Sequence, residues 1–311
     1  MKTKLSSHIT NRGYTAAFAS ALFLSTTAIF IRYLTNSFQI PALVLTFWRE
    51  FLVALILLAF FLIFKRSLFS GIRANWPFLS VYGLVLALFN GSWTLSVALN
   101  GAAVATVLLY SSAAFTAVFG WLLLKEDLAL PKVIAVILSL TGCALVANAL
   151  DPALWALNAG GVLVGMLAAL GKAAYSLMGR SAAQRGLNPW STLLATFSIA
   201  CVILLAANLG FGRFLPGGAQ QASDFFWLGS SLKGWTVLVI LAIVPTLLGY
   251  GTYNISLSHL PSSVANLVVT IEPVFTAIFA YFILAETLNP AQLAGGALVL
   301  AGVVLIRLTE K

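Results

Sequence analysis

Arg49, Glu50, Lys172 and Glu272 are four charged residues set inside long apolar runs. A charge at the centre of a bilayer costs about 2.5–3.5 kcal/mol on insertion scales, so such residues face protein or water and find partners. Their formal charges sum to zero. Glu272 suits a substrate ammonium or a proton, and the competing reading is a structural tie to Lys172 or Arg49. Lys172 suits a substrate carboxylate. Together the two would address opposite ends of a zwitterionic amino acid, whereas a direct ion pair would leave neither free. Arg49 reads mainly as structural. Consecutive helix residues point about 100° apart, so Arg49 and Glu50 are expected to need different partners. Pro273 has no backbone donor and is expected to kink its helix, freeing carbonyls nearby. Tyr82, Asn90, Trp93, Tyr110, Tyr175, Tyr250 and Tyr253 lie at comparable depth. As a set they would line a cavity for amphipathic metabolites, through ring contacts and hydroxyl hydrogen bonds, while each alone also serves as interhelical glue.

The rest of the inventory excludes other chemistry. Two histidines, His8 and His259, cannot make an HExxH zinc motif, and the few carboxylates offer no close acidic pair. Neither a metal nor a cofactor is expected, and an intramembrane enzyme is disfavoured. Cys143 and Cys201 fall inside apolar runs and read as packing residues. No repeated carbonyl-filter sequence suggests a channel.

The elements that must position these residues are membrane helices. The chain is 61% hydrophobic and 8% charged, against about 45–50% and about 25% in soluble domains. Apolar runs of about 20 residues fall at 13–34, 40–64, 76–98, 102–124, 132–149, 159–179, 190–209, 235–257, 262–284 and 291–307. The basic N-terminus followed by an apolar run imitates a signal peptide, but that run has a counterpart later in the chain and is expected to stay. The net charge of +9 comes from residues at helix ends rather than from a nucleic-acid-binding face. Lys2, Lys4, Arg12, Lys65, Arg66, Arg73, Lys125, Lys132, Arg180, Arg185, Arg307 and Lys311 fall on one side, and Arg32, Arg213 and Lys233 on the other. The positive-inside rule then makes both termini cytoplasmic.

The chain repeats itself. Phe115, Thr116, Ala117, Phe119, Leu124, Glu126, Leu128 and Gly142 recur 160 positions later as Phe275, Thr276, Ala277, Phe279, Leu284, Glu286, Leu288 and Gly302. Gly91 and Ser96 recur as Gly251 and Ser256, while Arg32 and Pro41 recur 148 positions later as Arg180 and Pro189. About 12 extra residues therefore sit in the second half, and the loop around 209–234 accommodates them. Whether that loop carries a short interfacial helix is open. Small residues at every fourth position, Gly13, Ala17, Ala21 and Ser25, then Gly161, Gly165, Ala169 and Ala173, give the first and sixth spans flat ridges for close packing. The fold expected is an all-α integral membrane protein of ten transmembrane helices, two inverted five-helix repeats covering 1–150 and 151–311. The four charges break the repeat, because their counterparts are Phe197, Ser198, Leu24 and Ser112. Glu126 and Glu286, at turns on opposite faces, are expected to pair or to charge the start of the next helix.

The helix pairs FGWLLLKEDLALPKVIAVILSLTGCALV and EPVFTAIFAYFILAETLNPAQLAGGALVLAGVVLI resemble the paired EamA domains of the drug/metabolite transporter superfamily, as does FWREFLVALILL in the second span. Within it the chain is most similar to bacterial inner-membrane exporters of aromatic and other amino acids. The resemblance implies ten helices, a central cavity, no ATP hydrolysis, an inner-membrane location and export of small metabolites by alternating access. Drugs, nucleotide sugars and lipid-like molecules are alternative cargoes. The partners expected are a small-molecule substrate and the lipid bilayer. The oligomeric state is open, and a monomer is compatible.

Overall fold

Large apolar side chains point outward and many polar ones inward, the reverse of a water-soluble core. Ile63, Leu123, Leu163 and Leu232 are exposed, while Thr46, Glu50, Asn90, Ser139 and Ser176 are fully buried. A bilayer dictates this arrangement, since lipid tails accept apolar surface and offer no hydrogen bonds. The computed structural model describes residues 2–64, 70–147, 149, 151, 159–284 and 289–309. Lys65, Arg66, Glu286, Leu288 and Lys311 lie outside them.

The first half contains α1 (Lys2–Leu24), α2 (Thr27–Ser37), α3 (Ala42–Phe64), α4 (Ser70–Ala74), α5 (Trp76–Tyr110), α6 (Ser112–Leu124) and α7 (Leu130–Val146). The second half contains α8 (Ala159–Gln184), α9 (Pro189–Phe211), α10 (Leu232–Leu241), α11 (Gly249–His259), α12 (Ser262–Val269), α13 (Glu272–Leu284) and α14 (Pro290–Thr309). A π-helical turn at Ala242–Leu248, holding Pro245, joins α10 to α11. The long loop after α9 carries a 3-10 helix at Ala222–Phe226, capped reciprocally by Gln221 and Asp224. Among the described residues eight helical runs are long and apolar enough to cross a membrane, and Leu130–Val146 and Ser262–Thr276 are shorter apolar helices. The ten expected spans thus fall on eight full-length runs and two short ones.

Three expected spans are broken. The first divides at residues 25–26 between α1 and α2, the fourth at Ser111 between α5 and α6, and the ninth at residues 270–271 between α12 and α13. A further interruption inside α5 comes from Gly101 at φ 75°, which separates the third span from 102–110. Broken helices survive in a membrane only if the freed backbone groups find partners. The carbonyl of Ser25 accepts from Thr276 Oγ1 at 2.8 Å, and the carbonyl of Thr270 accepts from the thiol of Cys143 at 3.5 Å. Asn266 Nδ2 donates to Ser112 Oγ at 3.2 Å and to Thr116 Oγ1 at 2.8 Å, tying α12 to the start of α6.

The helices pack in pairs drawn one from each half of the chain. α1 lies on α11 and α5 on α8, while α3 lies on α9, α6 on α12 and α7 on α14. The two small-residue ridges serve the first two of these contacts, within one chain. A Cβ at Gly13 would meet Leu260 Cγ at 2.6 Å, and one at Gly165 would meet Ser96 Oγ at 2.8 Å. Backbones approach closely between α7 and α14. There a Cβ on Gly142 would lie 2.6 Å from the carbonyl oxygen of Gly295 and 2.7 Å from Val299 Cγ2. Likewise a Cβ on Gly302 would lie 2.8 Å from the carbonyl oxygen of Ala135 and 2.6 Å from Ser139 Oγ. Gly302→Ala is therefore expected to cost ~1–3 kcal/mol by overpacking, read as a lowered midpoint of thermal unfolding in detergent; an unchanged midpoint would show that the seam can yield.

Candidate functional site

The breaks in the first, fourth and ninth spans converge on one place. Leu24 and Thr27 flank the first break, Leu109 precedes the second, and Val269 and Glu272 flank the third, and all five line a common cavity of about 30 Å³. Lys172 from α8 and an aromatic wall of Phe89, Trp93, Tyr175, Tyr250 and Tyr253 complete it. The space holds water but no metabolite.

The two cavity charges are held in different ways. Glu272 is the first residue of α13, where the helix dipole favours an anion. Lys172 Nζ lies 5.0 Å from the ring centroid of Tyr110, whose face attracts a cation. The two side chains are buried, at 5% and 7% exposure, and their charged atoms do not come within 4.0 Å of each other. The direct tie between Glu272 and Lys172 or Arg49 is therefore not made.

Arg49 does have a partner, and it is the neighbour that sequence geometry set aside. Arg49 Nη2 lies 3.4 Å from Glu50 Oε1. The expectation of separate partners fails because an arginine stem is long enough to curl back past the 100° between adjacent positions. Glu50 then organises two of the expected residues. Asn90 Nδ2 donates to Glu50 Oε1 at 2.6 Å, and the Tyr250 hydroxyl donates to Asn90 Oδ1 at 2.6 Å. This chain of contacts runs from the ion pair to the cavity wall, since Tyr250 lines it. Arg49 and Asn90 themselves lie behind that wall.

The tyrosines form a cluster around Tyr175. Its hydroxyl donates to Asn254 Oδ1 at 3.1 Å, and its ring centroid lies 4.8 Å from that of Tyr82, 5.5 Å from that of Tyr250 and 6.4 Å from that of Tyr253. Tyr253 and Ser176 share a hydroxyl hydrogen bond of 2.7 Å. Tyr82 supports the wall from behind, and Tyr110 lies beneath Lys172 without lining the cavity. Pro273 occupies the second position of α13, a place that tolerates a missing N–H. The chain turns just before it, at residues 270–271, so Pro273 starts a new helix rather than bending a continuous one.

Glu50 and Asn254 were not singled out as site residues from sequence. Glu50 carried the signal of a buried charge but was read only through its neighbour. Glu126 also departs from expectation, because its carboxylate holds the first residues of α12 and not the start of α7. Its counterpart Glu286 is outside the described residues.

Residues 11–148 and 159–308 each match the EamA-like transporter family. An uncharacterized transporter of Archaeoglobus fulgidus is 26% identical over 94% of this chain and 95% of its own length. A second uncharacterized transporter, from Haemophilus influenzae, is 26% identical over 91% of this chain and 87% of its own length. The threonine/homoserine exporter RhtA of Escherichia coli is 33% identical over 33% of each chain. One solved crystal structure shares the fold, with a TM-score of 0.73 at 18% identity over 95% of this chain and 96% of that one.

Proposed function

The chain belongs to the EamA-like transporter family and is a multi-pass membrane transporter, and from that premise we propose that it exports amino acids or related zwitterionic metabolites across the inner membrane. The observation that carries this reading is the pair Lys172 and Glu272, two buried opposite charges on one cavity that do not neutralise each other directly. Glu272 is supported by the N-terminus of α13 and Lys172 by the Tyr110 ring face, and an opened cavity would let them meet an ammonium and a carboxylate. Half-helix ends at a midplane site are the usual way secondary transporters handle charged cargo. The aromatic wall would take the apolar part of the cargo. The partial likeness to an exporter of threonine and homoserine agrees with this class.

Access alternates between the two faces, by exchange of shape between two inverted five-helix halves, 1–150 and 151–311. The packing pairs support this, because swapping the halves turns the α1 contact with α11 into the α8 contact with α5 and returns α3 on α9 and α7 on α14 to themselves. Five spans per half invert the second, and the distribution of basic residues then sets both termini in the cytoplasm. The cavity of about 30 Å³ must widen to admit cargo, so the structure corresponds to a closed stage of the cycle.

Reconstitution in liposomes tests the reading. Saturable counterflow of labelled amino acids is expected, with no requirement for ATP. Absence of flux for every amino acid tried would sink the proposed cargo, and non-saturable flux would point to a pore.

A further inference from the structure

Glu126 is held more strongly than a turn residue needs to be. Its Oε1 accepts from the backbone N–H of Ser262 at 2.6 Å and from that serine's hydroxyl at 2.6 Å. Its Oε2 accepts from the backbone N–H of Ser263 at 3.1 Å and from the second hydroxyl at 2.5 Å. Lys132 Nζ, which also donates to the carbonyl of Asp127, adds a bond to Ser263 Oγ at 3.3 Å. The chain is shaped for this contact. Lys125 adopts a left-handed conformation at φ 56°, the Glu126 N–H folds back to the carbonyl of Gly120 at 3.1 Å, and a Cβ on Gly120 would lie 2.8 Å from the carboxylate. One side-chain acceptor suffices to cap a helix. Here a whole carboxylate from one half of the chain grips the start of a helix in the other.

The gripped helix leads to the cavity. α12 has eight residues, all buried, and ends at Val269 on the cavity wall. At 1.5 Å per residue its length is about 12 Å, so it fills the path between the Glu126 face and the site. The matching segment of the first half is packed differently. Positions 102 and 103 are alanines where α12 begins with Ser262 and Ser263, and Ala102, Thr106 and Val107 are partly exposed. The hydroxyl half of the grip has no counterpart there.

We propose that Glu126 is a latch that keeps the cavity shut toward its own face of the membrane, and that releasing Ser262 and Ser263 lets α12 withdraw and open that face. The hydroxyl contacts, for which the alanines at positions 102 and 103 offer no equivalent, bias the resting protein toward closure on that side. Glu126 acts through α12 and does not touch cargo, so it is a positioning residue. The inference rests on the alternating-access reading above.

A cysteine on the cavity wall reads the latch directly. Thr27→Cys, in a chain whose native thiols are removed by Cys143→Ala and Cys201→Ala, is exposed to a membrane-impermeant maleimide from one face at a time in oriented proteoliposomes. Glu126→Gln is expected to raise labelling from the Glu126 face ~10-fold or more, the scale set by losing charge-assisted hydrogen bonds, with no rise from the opposite face. Ser262→Ala combined with Ser263→Ala, which keeps the backbone bonds, should raise it less. Equal labelling gains from both faces, or no gain from either, would overturn the latch and leave Glu126 as a structural cap. Amino-acid exchange by the parent chain in parallel vesicles separates the two readings. Exchange by the parent without a labelling shift in the cysteine variant removes the latch alone, whereas a labelling shift with no exchange by the parent keeps it and removes the transport proposal.

Discussion

Lys172→Met is expected to weaken binding of carboxylate-bearing cargo ~100-fold in reconstituted protein, the scale for losing a charge-assisted bond in a buried site. The ammonium of Lys172 lies on the cavity and over the Tyr110 ring, and methionine keeps the apolar stem while deleting the charge. Cargo with the carboxylate amidated should lose far less. Competition between the two forms in counterflow decides the matter, since an equal loss for both would mean structural damage. The reciprocal pattern applies to Glu272→Gln, where amine-bearing cargo should suffer and its deaminated analogue should not.

Arg49→Met is expected to cost ~3–5 kcal/mol of stability, because it strands Glu50 as an uncompensated buried charge. Arg49 and Glu50 are 1% and 0% exposed, and Arg49 Nε and Glu50 Oε2 make no hydrogen bond. Such a pair contributes little net stability when intact, yet losing one member is severe. The double change Arg49→Met with Glu50→Leu should therefore recover much of the loss, apart from the amide of Asn90 that it leaves unpaired. Denaturation midpoints of the three variants in detergent check this. A single variant as stable as the parent would show that Glu50 is neutral or finds another partner.

Spans and duplication were legible because hydropathy and the offset of 160 depend on residue identity alone. The discontinuities were not. Ser25, Thr26 and Ser111 break their helices without a proline, and their hydroxyls satisfy backbone carbonyls one turn away, a choice that tertiary packing makes rather than local propensity. Pro273 gives a warning, yet it marks a helix start. Of the site, Lys172 and Glu272 announced themselves by the expense of charge in lipid. Their meeting at one cavity depends on the packing of α5 and α12 on α8, which no local pattern encodes. Arg49 departs from the helical spacing because its long stem bends back to Glu50. Glu126 has a partner 136 residues away, beyond the reach of any local pattern.

The close seam between α7 and α14 has a mechanical consequence. Gly142 faces Val299 as Gly302 faces Ser139, and exchanging the halves carries each contact into the other. A joint that is its own reflection looks the same before and after the halves trade shapes. If access alternates as proposed, the seam is the fulcrum about which the bundles would tilt, and a Cβ forced into it by Gly302→Ala should weaken both orientations alike without favouring either.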